Sequence, residues 1–232
     1  TCSHFSTRIA VERAREAEAA GAAMVMMMPP YHGTGLRADE AAIFEHFSEV
    51  AESISIPIMV QDAPLSGVTL SVNLLARLAT ALPQVAYFKI EVPNTADKLR
   101  SLIAIASDVV SGPFDGEEGI TLLADLDAGA TGTMPSALIP DLIKPVLEHH
   151  VTGDRQKAAS HYARVLPIIN FENRQCGLRA AKAAMKAGGV IKSDAVRHPL
   201  QPLHPATLEA LLDLLRPMDP VVLRWGDRKS VV

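Results

Sequence analysis

The run Tyr87-Phe88-Lys89-Ile90-Glu91 sets an amine and a carboxylate where they could do chemistry together. Aromatic and β-branched residues around the lysine predict a buried strand. An ammonium in an apolar interior must be paired or lose its proton. A lysine able to lose its proton attacks carbonyl carbons. Strand alternation puts Glu91 on the face of Lys89, two residues away. The pair is either a buried structural ion pair or a nucleophile with a proton-transfer partner, and the run alone leaves both readings open.

Other polar residues gather just after predicted strands. Tyr31 and His32 follow Pro29-Pro30, Gln61 and Asp62 end a second apolar run, and Thr133 and Ser136 end a last short one. Gln61 can hydrogen-bond a substrate or be satisfied by backbone. Asp62 before Ala63-Pro64 reads as a turn residue. His32 can exchange protons near neutral pH or sit exposed on a rim. Thr133 and Ser136 can bind hydroxyls or a carboxylate, or cap the next helix. Asp115, Glu117 and Glu118 read as first-turn charges favoured by a helix dipole rather than as a metal cluster.

The elements that must hold these residues alternate. Helices are predicted over 7–20, 38–52, 71–82, 117–128 and 138–150, and from Asn94, a capping residue. Strands are predicted over 22–28, 56–61, 85–91, 109–111 and 130–134. Continuous apolar strands alternating with helices indicate a parallel sheet buried on both faces. No GxGxxG follows a strand, which counts against a dinucleotide fold. Polar residues after strand C-termini match the way (β/α)8 barrels carry their chemistry. After residue 150 the alternation gives way to helices over 154–169, 171–187 and 204–215, interrupted at Gly188-Gly189 and over 199–205. The expected organisation is an α/β barrel part over 1–150 and a C-terminal helical extension over 151–232. Five predicted strands, with the tail of a sixth at Thr1-Cys2, fall short of the eight of a closed barrel.

Composition narrows the function classes. The chain has 232 residues, 48% hydrophobic and 21% charged, with a net charge of −4. That charge leaves no basic footprint for nucleic acid and no polybasic patch for a membrane surface. No apolar run reaches the ~20 residues of a membrane-spanning helix. Cys2 and Cys176 offer neither a disulfide framework nor a zinc-ligand spacing, and no metal is expected. Met24, Met26, Met27 and Met28 read as core filling, and Cys176 as a packed thiol. Without a signal-like segment, a cytoplasmic enzyme is the expectation.

The order of PPYH (29–32), PIMVQDAP (57–64), FKIE (88–91), GPFDGEE (112–118), GTMPSA (132–137) and VRHPLQPL (196–203) resembles the dihydrodipicolinate synthase / N-acetylneuraminate lyase family over nearly the whole chain. The resemblance implies a (β/α)8 TIM barrel with a C-terminal helical extension, commonly a homotetramer. It implies a Schiff base between a strand-six lysine, here Lys89, and an α-keto acid. It also places residues 1–3 at the end of strand three. The first two βα units, with the family's Gly-Thr-Thr carboxylate loop, would then be missing from this sequence.

The departures from the family pattern point to a branch. Gln61-Asp62 stands where the family has Tyr-Asn, and that tyrosine relays protons. Ser66 replaces the synthase's substrate-gripping arginine, and His32 replaces a second tyrosine. The Lys-Glu dipeptide becomes Lys89-Ile90-Glu91, which turns the carboxylate onto the lysine's face. The set looks most like a dehydratase of 2-keto-3-deoxy sugar acids, converting L-2-keto-3-deoxyarabonate to 2,5-dioxopentanoate without metal or organic cofactor. Glu91 is then the expected proton shuttle, although an ionised Glu91 also favours the ammonium form of Lys89. Tyr31, His32, Gln61, Thr133 and Ser136 are the expected substrate-binding residues. An aldolase of the same family, or a keto-acid-binding barrel without catalysis, are the competing expectations.

Overall fold

In the computed structural model, which describes residues 1–32, 36–116 and 118–228, the chain forms two compact units. The first takes in residues up to 116 together with Ala124–Met134, and the second takes in Glu118–Leu123 and the residues from Pro135 on.

The first unit is built on a parallel sheet of β1 (Val25–Met27), β4 (Ile58–Asp62), β5 (Val85–Ile90), β6 (Gly112–Asp115) and β7 (Gly132–Thr133), in that spatial order. Successive strands lie side by side and parallel, with a helix in each crossover. The helices are α2 (Glu40–Ser53), α3 (Val72–Ala81), α4 (Thr95–Ala106) and α5 (Leu122–Asp127), preceded by α1 (Thr7–Ala19). Ile58, Val60, Phe88 and Ile90 are fully buried, as the apolar runs predict. Asp39 and Ser71 cap α2 and α3 by accepting the N–H of Ala42 and Leu74. Cys2 N–H donates to Met26 C=O at 2.9 Å, which ties Cys2 to β1, and residues 1–4 form no strand of their own.

The structure corrects several expectations. A short antiparallel hairpin, β2 (Tyr31–His32) and β3 (Leu36–Arg37), follows β1 and was not legible in its two-residue strands. The strand expected at 109–111 lies instead at β6. Pro113, which has no N–H to give, keeps a ladder bond there through its carbonyl, which accepts the Thr131 N–H at 2.9 Å. A side chain on Gly112 or Gly132 would meet the ring of Phe114 at 2.6 or 3.0 Å, so the two glycines make room for that ring. Asn94 does not cap α4 through its side chain; it takes φ +62°, and its carbonyl accepts the N–H groups of Asp97 and Lys98. The helix expected from 117 starts only at Leu122, because Glu118 and Gly119 both take left-handed backbone. The carboxylates around 115–118 are therefore not first-turn charges: Asp115 ends β6, Glu118 lies in the turn, and Glu117 lies outside the described residues. Met27 and Met28 are buried, whereas Met24 is exposed.

The second unit is helical: α6 (Pro140–Val151), α7 (Arg155–Phe171), α8 (Arg179–Ala187), α9 (Pro205–Leu215) and α10 (Val221–Arg228). Between α7 and α8 the chain widens into a π-helical turn, Glu172–Cys176, where a continuous helix was expected. A Cβ on Gly188 would lie 1.8 Å from the Val222 carbonyl oxygen, so the end of α8 meets α10 backbone to backbone. Among the described residues no helix is long and apolar enough to cross a membrane.

Candidate active site

Parallel register aligns Gln61 of β4, Lys89 of β5 and Phe114 of β6 in one row. Aligned residues of a parallel pair project to the same face, so one face carries Gln61, Lys89 and Phe114. The next row, Asp62, Ile90, Asp115 and Thr133, projects to the other face. Both rows end the strands, the position at which parallel α/β sheets hold their ligands.

On the first face Lys89 is 8% exposed, and its Nζ is ion-paired with Oε1 of Glu91. Gln61 Nε2 donates to both Glu91 oxygens at 3.2 Å. An amine, a carboxylate and an amide therefore form one contiguous cluster. The face is that predicted from strand alternation, although Glu91 itself lies one residue beyond β5. Its backbone N–H is held by the carbonyl of Asp62 at 2.9 Å.

The exit of β6 covers this cluster at contact distance. Gly116 N–H donates to the Ile90 carbonyl at 3.0 Å. A Cβ on Gly116 would stand 2.4 Å from Cγ of Glu91 and 2.8 Å from Cγ of Lys89. Only a glycine lets the backbone pass so close to both stems. Sequence reasoning did not single out Gly116; the signal available was a glycine directly after the strand in GPFDGEE.

The other predicted site residues fall elsewhere. Thr133 lies in the opposite row, and its hydroxyl donates to Asp115 Oδ2 at 2.6 Å. Tyr31 pairs with Arg37 in the hairpin, and among the described residues no hydrogen bond joins it to Lys89, Glu91 or Gln61. His32 contributes its backbone to β2; its side chain lies outside the description. Asp62, read as a turn residue, is a fully buried carboxylate paired with Lys98 at 2.5 Å.

Ser136 belongs to the second unit. Its hydroxyl donates to Glu172 Oε1 at 2.5 Å, and its oxygen accepts the Leu138 N–H at 3.2 Å. Glu172 opens the π-helical turn and is 5% exposed. Burial pushes its carboxyl up to about 7; the Ser136 bond opposes this, and the charge of Glu118 adds to it. No local pattern in the sequence singles out Glu172, because its partner Ser136 lies 36 residues away.

A parallel α/β sheet with an ionisable cluster at its strand ends is an architecture that TIM-barrel and doubly wound enzymes share. Comparison with known proteins makes the relationship specific. The model of the Dihydrodipicolinate synthetase family matches residues 3–217, and the chain belongs to that family. It is 54% identical over 226 residues to the L-2-keto-3-deoxyarabonate dehydratase of Azospirillum brasilense, covering 97% of this chain and 73% of that protein. It is 30% identical to the 4-hydroxy-tetrahydrodipicolinate synthase of Nitrobacter hamburgensis, covering 90% of this chain and 69% of the relative. The solved 4-hydroxy-tetrahydrodipicolinate synthase of Methylacidiphilum fumariolicum SolV superposes with a TM-score of 0.84 at 25% identity, over 98% of this chain and 74% of that one.

Proposed function

We propose that this chain carries the Schiff-base centre of a hydro-lyase that dehydrates a 2-keto-3-deoxy sugar acid, with L-2-keto-3-deoxyarabonate as substrate and 2,5-dioxopentanoate and water as products. The observation that carries the reading is the cluster of Lys89, Glu91 and Gln61 on one face. The 54% identity to a dehydratase of that substrate supports it.

The neutral amine of Lys89 attacks the C2 carbonyl, and loss of water from the adduct leaves an iminium. The iminium draws electrons from the C3–H bond, and Glu91 takes that proton. The resulting enamine expels the C4 hydroxyl, which leaves as water on receiving a proton. A proton lost from C5 and one returned to C3 leave an enol at C4–C5, and transfer of the enol hydroxyl proton to C4 converts it into the terminal aldehyde. Water then attacks C2 and frees Lys89. Each proton taken up is returned, and the net change is loss of one water. The scheme uses no cofactor, because the iminium is the electron sink.

Gln61 supports this chemistry by what it does to Glu91. Two donated hydrogen bonds fix the carboxylate beside the amine and leave it an acceptor. Thr133 is left out of the substrate contacts because its hydroxyl is committed to Asp115. The wider setting belongs to the same proposal: a cytoplasmic homotetramer whose eight-stranded barrel is completed by strands outside this sequence. The five-stranded ladder and the 73% coverage of the dehydratase support the barrel part of that setting, and the resemblance to the family supplies the rest.

Product analysis tests the reading. The intact protein incubated with L-2-keto-3-deoxyarabonate should release 2,5-dioxopentanoate. Pyruvate and glycolaldehyde as products would assign it to the aldolases instead.

A further inference from the structure

We propose that Asp62 and Lys98, on the face of the sheet away from Lys89, are positioning residues that hold Gln61 and Glu91 against the amine. The inference rests on the dehydratase reading for the activity it affects, and on the hydrogen bonds of Asp62 and Lys98 for the clamp itself.

Asp62 ends β4 and is fully buried. Its Oδ2 takes the Lys98 ammonium at 2.5 Å, and its Oδ1 accepts the Leu70 N–H at 3.3 Å. The same ammonium donates to the Leu70 carbonyl at 2.5 Å. Aspartate and lysine thus grip Leu70 by both of its backbone groups and close the loop that leaves β4. The fourth connection faces the active cluster: the Asp62 carbonyl accepts the Glu91 N–H at 2.9 Å.

Two side chains of the active cluster therefore hang from one pinned residue. Gln61 precedes Asp62 in the chain, and Glu91, past the end of β5, is held in register by its bond to Asp62. Apolar residues of similar volume could fill the space of a buried ion pair at little cost in stability. What they could not supply is a directional tie from α4 to both the end of β4 and Leu70. Without Lys98 the end of β4 loses its tie to α4 and to the Leu70 carbonyl and is free to shift. That motion carries Gln61 and the Glu91 backbone with it, and a misplacement of about 1 Å at a catalytic group costs on the order of 10²-fold in rate.

The test uses Lys98→Met in the intact protein, followed by amide hydrogen exchange and steady-state kinetics. The amides of Glu91 and Leu70 should exchange about tenfold or more faster, while that of Phe88 keeps its rate. The kcat for dehydration should fall on the order of 10²-fold with KM within about threefold, and Lys98→Arg should recover most of the loss. Should Lys98→Met fail to fold, the double variant Asp62→Asn/Lys98→Met leaves no unpaired charge and should show the same exchange and kinetics. A folded variant that keeps the original kcat, or the original exchange rate at Glu91, overturns the proposal. If the unmutated protein does not dehydrate the sugar acid, the functional reading falls and the exchange rate at Glu91 decides the clamp by itself.

Discussion

The side-chain amide of Gln61 stands 3.2 Å from each oxygen of the Glu91 carboxylate, and that carboxylate is also the partner of the Lys89 ammonium. In the proposed mechanism the amide donates to the group that later accepts a proton, so it steers Glu91 without competing for the proton. The resting ion pair also sets a condition on the reaction. The amine becomes nucleophilic only when it gives up a proton, and Glu91 is the adjacent acceptor.

Replacing Glu91 by Gln keeps shape and removes the base. Dehydration should fall by about 10²–10⁴-fold, the usual contribution of a positioned acid–base group. Borohydride trapping of pyruvate on Lys89 should survive. Turnover at the original rate would reassign Glu91 to a structural role.

Gly116→Ala tests the close approach of the β6 exit. The added methyl meets the stems of Glu91 and Lys89 and also the Ile90 carbonyl oxygen at 3.0 Å. Overpacking of this kind costs roughly 1–3 kcal/mol. We expect a lower urea midpoint and a kcat reduced on the order of 10²-fold, because the displaced stems are those of the reacting groups. Activity and midpoint equal to the unmutated protein would show that the exit yields without cost.

Acid stability should depend on His46. This histidine is 2% exposed, and its Nδ1 pairs with the Thr7 hydroxyl at 2.9 Å, while its Nε2 is buried without a partner among the described residues. Burial, helped by nearby His4, pushes it down to about 4 from an ordinary 6.5. The unfolded chain therefore binds the proton first as pH falls. The contribution is fully present above pH 6.5 and is lost as pH drops toward 4, amounting to roughly 3 kcal/mol. Urea unfolding at pH 7 and pH 4.5, compared with His46→Gln, measures it. An equal pH dependence in the variant would assign the loss to other groups.

Glu172 should act with the opposite sign. Its carboxyl, raised by burial to about 7, keeps its proton in the folded protein when the unfolded chain has lost it. Stability from this group is fully present below pH 4.5 and is lost as pH rises through 7, again roughly 3 kcal/mol. Glu172→Gln should gain stability relative to the unmutated protein between pH 6 and pH 8, read as a thermal midpoint that no longer falls over that range.

The parts of the molecule legible in the sequence are those governed by local pattern. The strand carrying Lys89 was readable because Tyr87, Phe88 and Ile90 surround a charge that needs a reason, and the face of Glu91 followed from alternation. The strand of β6 was misread because Gly112 and Pro113 have low strand propensity, and the ring of Phe114 that requires the glycines becomes visible only across neighbouring strands. Asp62 looked like a turn residue because its partner Lys98 lies 36 residues on, in a helix whose facing the local sequence does not reveal. For Thr133 the strand end was legible and the face was not, since a two-residue strand gives alternation too little length to set its phase.

The amine of Lys89 is the centre of the account, and reductive trapping tests it most directly. Intact protein treated with pyruvate and borohydride, digested and weighed, should carry the reduced adduct on the peptide containing Lys89, with Lys89→Met unlabelled. A trapped adduct on another lysine, or no adduct at saturating pyruvate, would contradict the assignment of Lys89 as the Schiff-base nucleophile.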